Sequence, residues 1–500
     1  MLVAQVDESH NLRTLESLSL PVSLGTDTFT RGEIQIQTIE ECVKALKKFR
    51  HVLDEYRISS KDQLRVVATS GVREARNRYI FLDRVKIATG LNVEIVDEVE
   101  VNRLTYLSMQ PLFESRPELQ GVHTLTIEIG GGSTELLAVR DGDVMYSQSY
   151  RLGSLRLRQM LATFRAPLPR QREIVEAHIR QTVQEIQEQA KAWQNVCVIG
   201  MGGDLRFAAD RILPDVNSQG LRRLPTQKLA EFTTQILDQS VDDLAHSHHL
   251  PFPEAETLAP ALLSYLRFAQ ALNLDEIFVA STSMRDGVLN EMVSEKMWSG
   301  SFAEQILRSA RSLGRKYHFD EPHCEHVAEL SRKLYRELRD EHQLTQRHEL
   351  ILHVAALLHD IGTYISERAH HKHSMYLIRN SAIFGVGSRE QLIIALIARY
   401  HRKALPNPRH PGYTELDQEG RIAMLKLAAI LRVADALDRG HTQRIRDIRI
   451  AKDEGRITVL IANVPDLTLE QLALQGKGEL FKQVYGMEIA YRRTPEQPEG

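Results

Sequence analysis

The string Glu128-Ile129-Gly130-Gly131-Gly132-Ser133-Thr134-Glu135 joins three adjacent glycines to two hydroxyls and two bracketing carboxylates. Glycines let the backbone come close to a ligand, so that successive N–H groups point at phosphate oxygens, while Ser133 and Thr134 add donors. Carboxylates beside such a nest repel an anion unless they hold a divalent cation or orient an attacking water, as metal-assisted phosphoryl transfer requires. A tight hairpin turn is the plainer reading of the glycines alone. Two more strings shift the balance. In Ala68-Thr69-Ser70-Gly71-Val72-Arg73-Glu74-Ala75-Arg76-Asn77-Arg78, small residues end a strand and three arginines open a helix, bringing guanidinium forks and a helix N-terminus to one place. Gly200-Met201-Gly202-Gly203-Asp204-Leu205-Arg206 offers a second backbone nest across a cleft, with Gly202 and Gly203 as its phosphate candidates.

The elements carrying these strings alternate between strand and helix. Ile39 to Tyr56 reads as a helix, Leu64 to Ala68 and Val93 to Val96 as short strands, and His123 to Ile129 as a strand entering the glycines. Leu136 to Val139 returns from them, so the glycine string sits at a hairpin turn. Asn195 to Ile199 runs into the Gly200 loop, and Glu276 to Ala280 is one more buried strand. From about Ser301 the texture changes to amphipathic helices, among them Cys324 to Leu338, Glu349 to Leu358 and Arg389 to Tyr400, which places a domain boundary near residue 300. Twelve of the twenty histidines lie between His318 and His410. Beyond about Asp447 comes a short tail with a strand at Arg456 to Ile461, a Pro465-Asp466 turn, a helix at Thr468 to Leu474 and a frayed Pro495 to Gly500 end.

Composition limits the partners. Five hundred residues with 42% hydrophobic and 26% charged side chains exceed one core and imply three or four packed units. A net charge of -3 gives no global basic field, which argues against nucleic-acid binding and leaves a polyanion to be met by local arginines. Cys42, Cys197 and Cys324 stand in no metal or redox spacing and read as buried thiols of a reducing compartment. With no long apolar run and no basic leader, the expectation is a soluble cytoplasmic protein without a membrane partner.

Together, the strings ATSGVREARN and EIGGGSTELL resemble the Ppx/GppA family of exopolyphosphatases and guanosine pentaphosphate phosphohydrolases. The resemblance continues through Arg151-Leu152-Gly153-Ser154, the Gly200 loop and Ser283-Met284-Arg285-Asp286-Gly287, so it covers nearly residues 1 to 300. It implies an α/β actin-like (ASKHA, ribonuclease H-like) two-lobed phosphatase domain, with lobe I at 1–118 and lobe II at 119–300. By position, Arg73, Gly130, Gly131, Gly132, Ser133 and Thr134 would bind phosphate, and Glu128 and Glu135 would serve catalysis by holding Mg²⁺ or Mn²⁺ or the water. The family's opening Asp-x-Gly-Ser-Asn loop would precede Met1, so the first phosphate hairpin is expected to be truncated. Glu128 stands where the family has Asp. The family's Glu-Glu-Ala-Arg segment, which supplies the base, aligns with Glu100-Val101-Asn102-Arg103, leaving Glu100 as the expected base.

The helical stretch 301–446 resembles an all-α HD-type domain, with His323, His359, Asp360 and Asp435 at the positions that would ligate a second metal. A metal-free scaffold is the other reading. His371, His373 and His401 are further candidates for metal ligands or phosphate contacts, Arg399, Arg402, Lys403, Arg432 and Arg439 would extend a phosphate channel, and 447–500 forms a small α+β region. The implied activity is release of terminal phosphate from inorganic polyphosphate with a divalent cation. Alternatives are hydrolysis of guanosine pentaphosphate, a catalytically impaired polyphosphate or nucleotide sensor, or a metal phosphohydrolase of nucleotides in the helical half. The resemblance also implies a homodimer.

Overall fold

The computed structural model describes residues 1–7, 12–58, 63–164, 168–191, 193, 195–214, 220–293, 300–453 and 455–494; the expected frayed end at 495–500 lies outside them. The chain divides into two compact units, Met1–Glu295 and Lys296–Gly500.

The first unit has ten strands among its described residues: β1 (Leu2–Val6), β2 (Leu12–Ser17), β3 (Val66–Ala68), β4 (Val93–Ile95), β5 (His123–Ile129), β6 (Thr134–Arg140), β7 (Asp143–Tyr150), β8 (Val196–Met201), β9 (Leu221–Pro225) and β10 (Glu276–Ala280). Six of them form one mixed sheet in the order β7-β6-β5-β8-β10-β9. β5 is buried along nearly its whole length, as a central strand covered on both faces must be. The edge strands β7 and β9 are polar and partly exposed, which is why no apolar run announced them in the sequence. β1 pairs antiparallel with β2, and β3 pairs parallel with β4, as separate two-stranded sheets.

Helix Phe252–Ala271 lays Leu258, Leu262, Tyr265 and Phe268 into the core formed with Leu125, Ile127, Val198 and Ile277 of the large sheet. Helix Glu98–Ser115 starts at an Asp97 cap that accepts from Glu100 N–H at 2.8 Å. It packs against helix Met284–Val293 at Gly287, where a Cβ would overlap the Leu104 carbonyl.

The second unit gathers helices Ser301–Lys316, Glu321–Glu337, Gln346–Leu358, His370–Arg379 and Ser388–Tyr400 around helix Gln418–Leu437, which is buried from Leu427 to Leu437. Strands β11 (Ile448–Asp453), β12 (Arg456–Ile461) and β13 (Glu488–Arg493) form a small mixed sheet beside helices Thr468–Lys477 and Glu479–Tyr485. Tyr491 of β13 donates to the Val433 carbonyl at 2.6 Å, fastening the sheet to the central helix. No helix among the described residues is long and apolar enough to cross a membrane.

Candidate active site and candidate metal centre

In the first unit, β5 and β6 form a hairpin whose register sets Glu128 opposite Glu135 and Ile129 opposite Thr134. The turn closes with Gly130 N–H donating to the Ser133 carbonyl at 2.9 Å. The glycine carbonyls are held from behind: Ser154 N–H reaches Gly130 O at 2.9 Å, Leu155 N–H reaches Gly131 O at 3.0 Å, and Arg156 Nε reaches Gly132 O at 2.5 Å. Among the described residues, the N–H groups of Gly131, Gly132 and Ser133 have no protein acceptor, which leaves three consecutive donors for the anion nest expected from the sequence. The packing also requires glycine. A Cβ on Gly132 would overlap Ser70 and Phe29, and one on Gly153 would overlap the backbone of the triplet.

Two carboxylates directly opposite on neighbouring strands repel each other, and burial compounds the cost. Glu135 is 5% exposed; burial first, and the Glu128 charge second, push its carboxyl up to about 7, against hydrogen bonds from Ser133 Oγ at 2.5 Å and Ser149 Oγ at 3.3 Å. Burial raises Glu128 too, opposed by Thr105, whose hydroxyl donates to it at 3.1 Å, and by the Arg206 charge. At the second nest, Gly202 has φ +122° and Gly203 opens helix Gly203–Ile212. Burial pushes the next residue, Asp204, up to about 6 although Thr257 Oγ1 donates to it at 2.9 Å.

Tyr265 couples the two loops: its hydroxyl accepts from Ile129 N–H at 3.0 Å, at the end of β5, and donates to the Met201 carbonyl at the end of β8. Tyr265→Phe is expected to orphan both buried groups, each worth about 1–3 kcal/mol. Denaturant unfolding measures the loss.

Three expectations for this half need correction. The Thr134 hydroxyl is fully buried and donates to the Leu152 carbonyl, so it fastens the hairpin and offers no donor to a ligand. Glu100 sits in an ion cluster that weakens it as a base. Arg103 grips it from Nε at 2.7 Å and Nη2 at 2.6 Å, and Arg65 adds a contact at 3.3 Å; against the burial penalty, these cations hold its carboxyl below the ordinary range. Val101 beside it is buried. Arg73 is committed to the Val96 carbonyl at 2.8 Å and to Glu98 at 3.2 Å, so in this geometry it acts on the site chiefly through its charge, which reaches Glu135. Sequence reasoning missed Asp204, Thr105 and Tyr265. Asp204 stood inside the second glycine string, but Tyr265 lies in an apolar helix with no local signal.

In the second unit, His323, His359 and Asp435 bring one donor atom each within 4.8 Å of one another, and Asp360, His370 and His401 do the same. The cause is local. His359 and His401 cap the C-terminal ends of helices Gln346–Leu358 and Ser388–Tyr400, and their Nδ1–H groups donate back to Ala356 O at 2.7 Å and Ala398 O at 2.6 Å. His370 Nδ1 lies 3.0 Å from Glu367 O, and His323 Nδ1 lies 2.8 Å from Asp438 Oδ2. With all four Nδ1 atoms engaged by acceptors, all four Nε2 atoms turn toward the carboxylates, as outer-shell partners of metal ligands arrange them.

Asp360 Oδ1 lies 3.2 Å from His370 Nε2 and 3.4 Å from His401 Nε2, and Asp360 Oδ2 lies 3.6 Å from His359 Nε2. The Nε2 atoms of His323 and His359 are buried without a hydrogen-bond partner. Either a proton or a divalent cation between each Nε2 and its carboxylate satisfies this arrangement; the facing carboxylates raise His323, against its burial, and His370, and mixed imidazole and carboxylate donors suit Mn²⁺, Fe²⁺ or Zn²⁺. Burial pushes His401 down to about 3, keeping its imidazole neutral.

Here too the structure amends the sequence reading. His401 joins the cluster, but its partner is His370; His371 and His373 are in none of the three-donor groups. Arg402, Lys403 and Arg439 line a cavity of about 520 Å³ that opens on Asp360, His370, His401 and Asp435. Arg432 is no channel residue: it is fully buried and donates to the carbonyls of Tyr400 and Ala404. Arg399 contacts Met375 Sδ at 3.8 Å.

Comparison with known proteins bears on both units. A model of the Ppx/GppA phosphatase family matches residues 2–296, and a model of Ppx/GppA phosphatase domain III matches residues 307–475. The chain is 24% identical over 445 residues to a guanosine-5′-triphosphate,3′-diphosphate pyrophosphatase of Photobacterium profundum, covering 84% of this chain and 82% of that protein. It is 23% identical over 440 residues to the protein of that name from Vibrio parahaemolyticus, covering 86% and 84%. The crystal structure of an exopolyphosphatase from Cytophaga hutchinsonii superposes with a TM-score of 0.53 at 20% identity, over 58% of this chain and 93% of that one. The fold shared over that span is the actin-like α/β phosphatase fold expected from the sequence.

Proposed function

The chain belongs to the Ppx/GppA phosphatase family, a family of phosphoanhydride hydrolases, and from that premise we propose that its first unit releases terminal phosphate from inorganic polyphosphate. The observation that carries this reading is the run of three N–H groups without a protein acceptor at Gly131, Gly132 and Ser133, in the turn of the hairpin that pairs Glu128 with the buried Glu135. The nest would hold the oxygens of the terminal phosphoryl group, with Gly202 and Gly203 contributing from the second loop. Glu128 would hold Mg²⁺ or Mn²⁺ together with substrate oxygens, and the cation would neutralise charge on the phosphates. Glu135, held near 7, is suited to take a proton from the attacking water, since a base works best with a pKa near the operating pH. The water oxygen bonds to the terminal phosphorus, the bridging P–O bond breaks, and the shortened chain leaves with its oxygen. In this reading Glu135 replaces Glu100 as the base.

Adding polyphosphate and Mg²⁺ to monodisperse protein should release inorganic phosphate. Absence of release from folded protein would overturn the reading and leave a binding sensor. The names of the sequence relatives favour a second substrate, the 5′-terminal phosphate of guanosine pentaphosphate, which presents the same phosphoanhydride to the same loops. Competition between the two substrates, read as a ratio of kcat/KM values, separates them. For the second unit, the convergence of four Nε2 atoms on Asp360 and Asp435 supports an HD-type divalent-metal site at His323, His359, Asp360 and Asp435, with His370 and His401 completing it.

A further inference from the structure

Asp435 has two different neighbours. Its Oδ1 faces the imidazole cluster, 3.9 Å from His323 Nε2, while its Oδ2 is taken by the Lys477 ammonium. Lys477 is the last residue of helix Thr468–Lys477, where the helix dipole favours a cation, and its side chain is 11% exposed. It lies beyond the end of the domain III match at residue 475. A buried lysine beside a cluster of metal-ligand character is unusual, because its charge opposes the ion that the imidazoles and carboxylates are arranged to receive.

The surroundings give that charge a use. Lys477 lines the same cavity as Arg402, Lys403 and Arg439. Lys403 is laid against the same helix: a Cβ on Gly476 would come within 2.7 Å of Lys403 Cε, so glycine at 476 leaves room for the second lysine. With Asp360 and Asp435 ionised, one lysine leaves the floor of the cavity at one negative charge, and a divalent ion turns it positive.

Building on the reading of this cluster as a divalent-metal site, we propose that Lys477 is its specificity-determining residue: by occupying the outer oxygen of Asp435 it restricts that carboxylate to one metal-facing oxygen, weakens the hold on the cation, and supplies the positive charge that takes a phosphate group.

The test uses the full chain, with Mn²⁺ and then inorganic phosphate as probes, followed by calorimetry, and with Asp360→Asn protein as the blank for binding elsewhere. Lys477→Met is expected to bind Mn²⁺ about tenfold tighter, because a like charge is gone and a carboxylate oxygen is freed, and to bind phosphate about tenfold more weakly once loaded. Lys477→Arg should keep the phosphate affinity. Opposite movement of the two affinities separates this role from a structural one, since damage to the fold lowers both. The proposal is overturned if both affinities of Lys477→Met fall or neither moves. If neither wild type nor variant binds Mn²⁺ above the Asp360→Asn blank, the metal reading itself fails and this inference fails with it.

Discussion

Glu135→Gln is expected to slow phosphate release by about 10²- to 10⁴-fold and at the same time stabilise the metal-free protein at neutral pH. The loss of activity follows from its position as the base, a role worth about 10²- to 10⁴-fold. The gain in stability follows from proton linkage. The unfolded chain releases the Glu135 proton near 4.5, whereas burial and the facing Glu128 keep it bound in the folded protein up to about 7. Between those values the folded state binds more protons, so this group's contribution to stability is full below 4.5 and is lost as pH rises toward 7, by roughly 3 kcal/mol in all. Glutamine carries no charge to bury. Urea unfolding in the presence of chelator should show wild type and variant equal near pH 4.5 and the variant more stable at pH 8. Mg²⁺ should narrow the gap by binding folded wild type. Equal stability at both pH values would contradict the burial of a charged Glu135.

The second large effect belongs to the helical unit. His359→Ala removes one of the Nε2 donors that face the carboxylates, and Mn²⁺ affinity at that unit is expected to fall by about 100-fold or more, at or beyond the 10- to 100-fold that outer-shell partners of a metal typically command. Asp438→Asn, which alters only the group holding His323 Nδ1, should cost less, within that 10- to 100-fold range. Calorimetry on the full chain measures both, and melting curves without metal control for folding. Equal Mn²⁺ binding by wild type and His359→Ala would place the ion elsewhere. Because the polyphosphate reading rests on the first unit's own residues, phosphate release should survive His359→Ala.

The elements legible in the sequence are those whose pattern their own burial sets. β5 and β10 fall where the apolar runs put them, and helices Gln346–Leu358 and Ser388–Tyr400 begin within three residues of their expected starts. β7 and β9 were not legible because an edge strand has one open side and its stability comes from its neighbour, not from its own composition. The same division holds at the sites. The glycine loop was readable, since only glycine permits its close approaches to Ser70, Phe29 and Gly153. The fate of Glu100 was not, because Arg65 and Glu291, which complete its ion cluster with Arg103, are distant in sequence. Thr134 looked like a donor beside Ser133, yet strand alternation turned it inward to Leu152. In the helical unit, the choice of His370 over His371 and His373 depended on which face of helix His370–Arg379 meets Asp360, a question of packing that histidine spacing alone does not answer.

Phosphate release from inorganic polyphosphate with Mg²⁺, measured side by side for wild type, Glu135→Gln and His359→Ala, tests the assignment of turnover to the glycine-loop site most directly. Wild type and His359→Ala should release phosphate at similar rates and Glu135→Gln at a rate lower by 10²-fold or more. Undiminished release by Glu135→Gln with none from His359→Ala would contradict that assignment and move the chemistry to the helical unit.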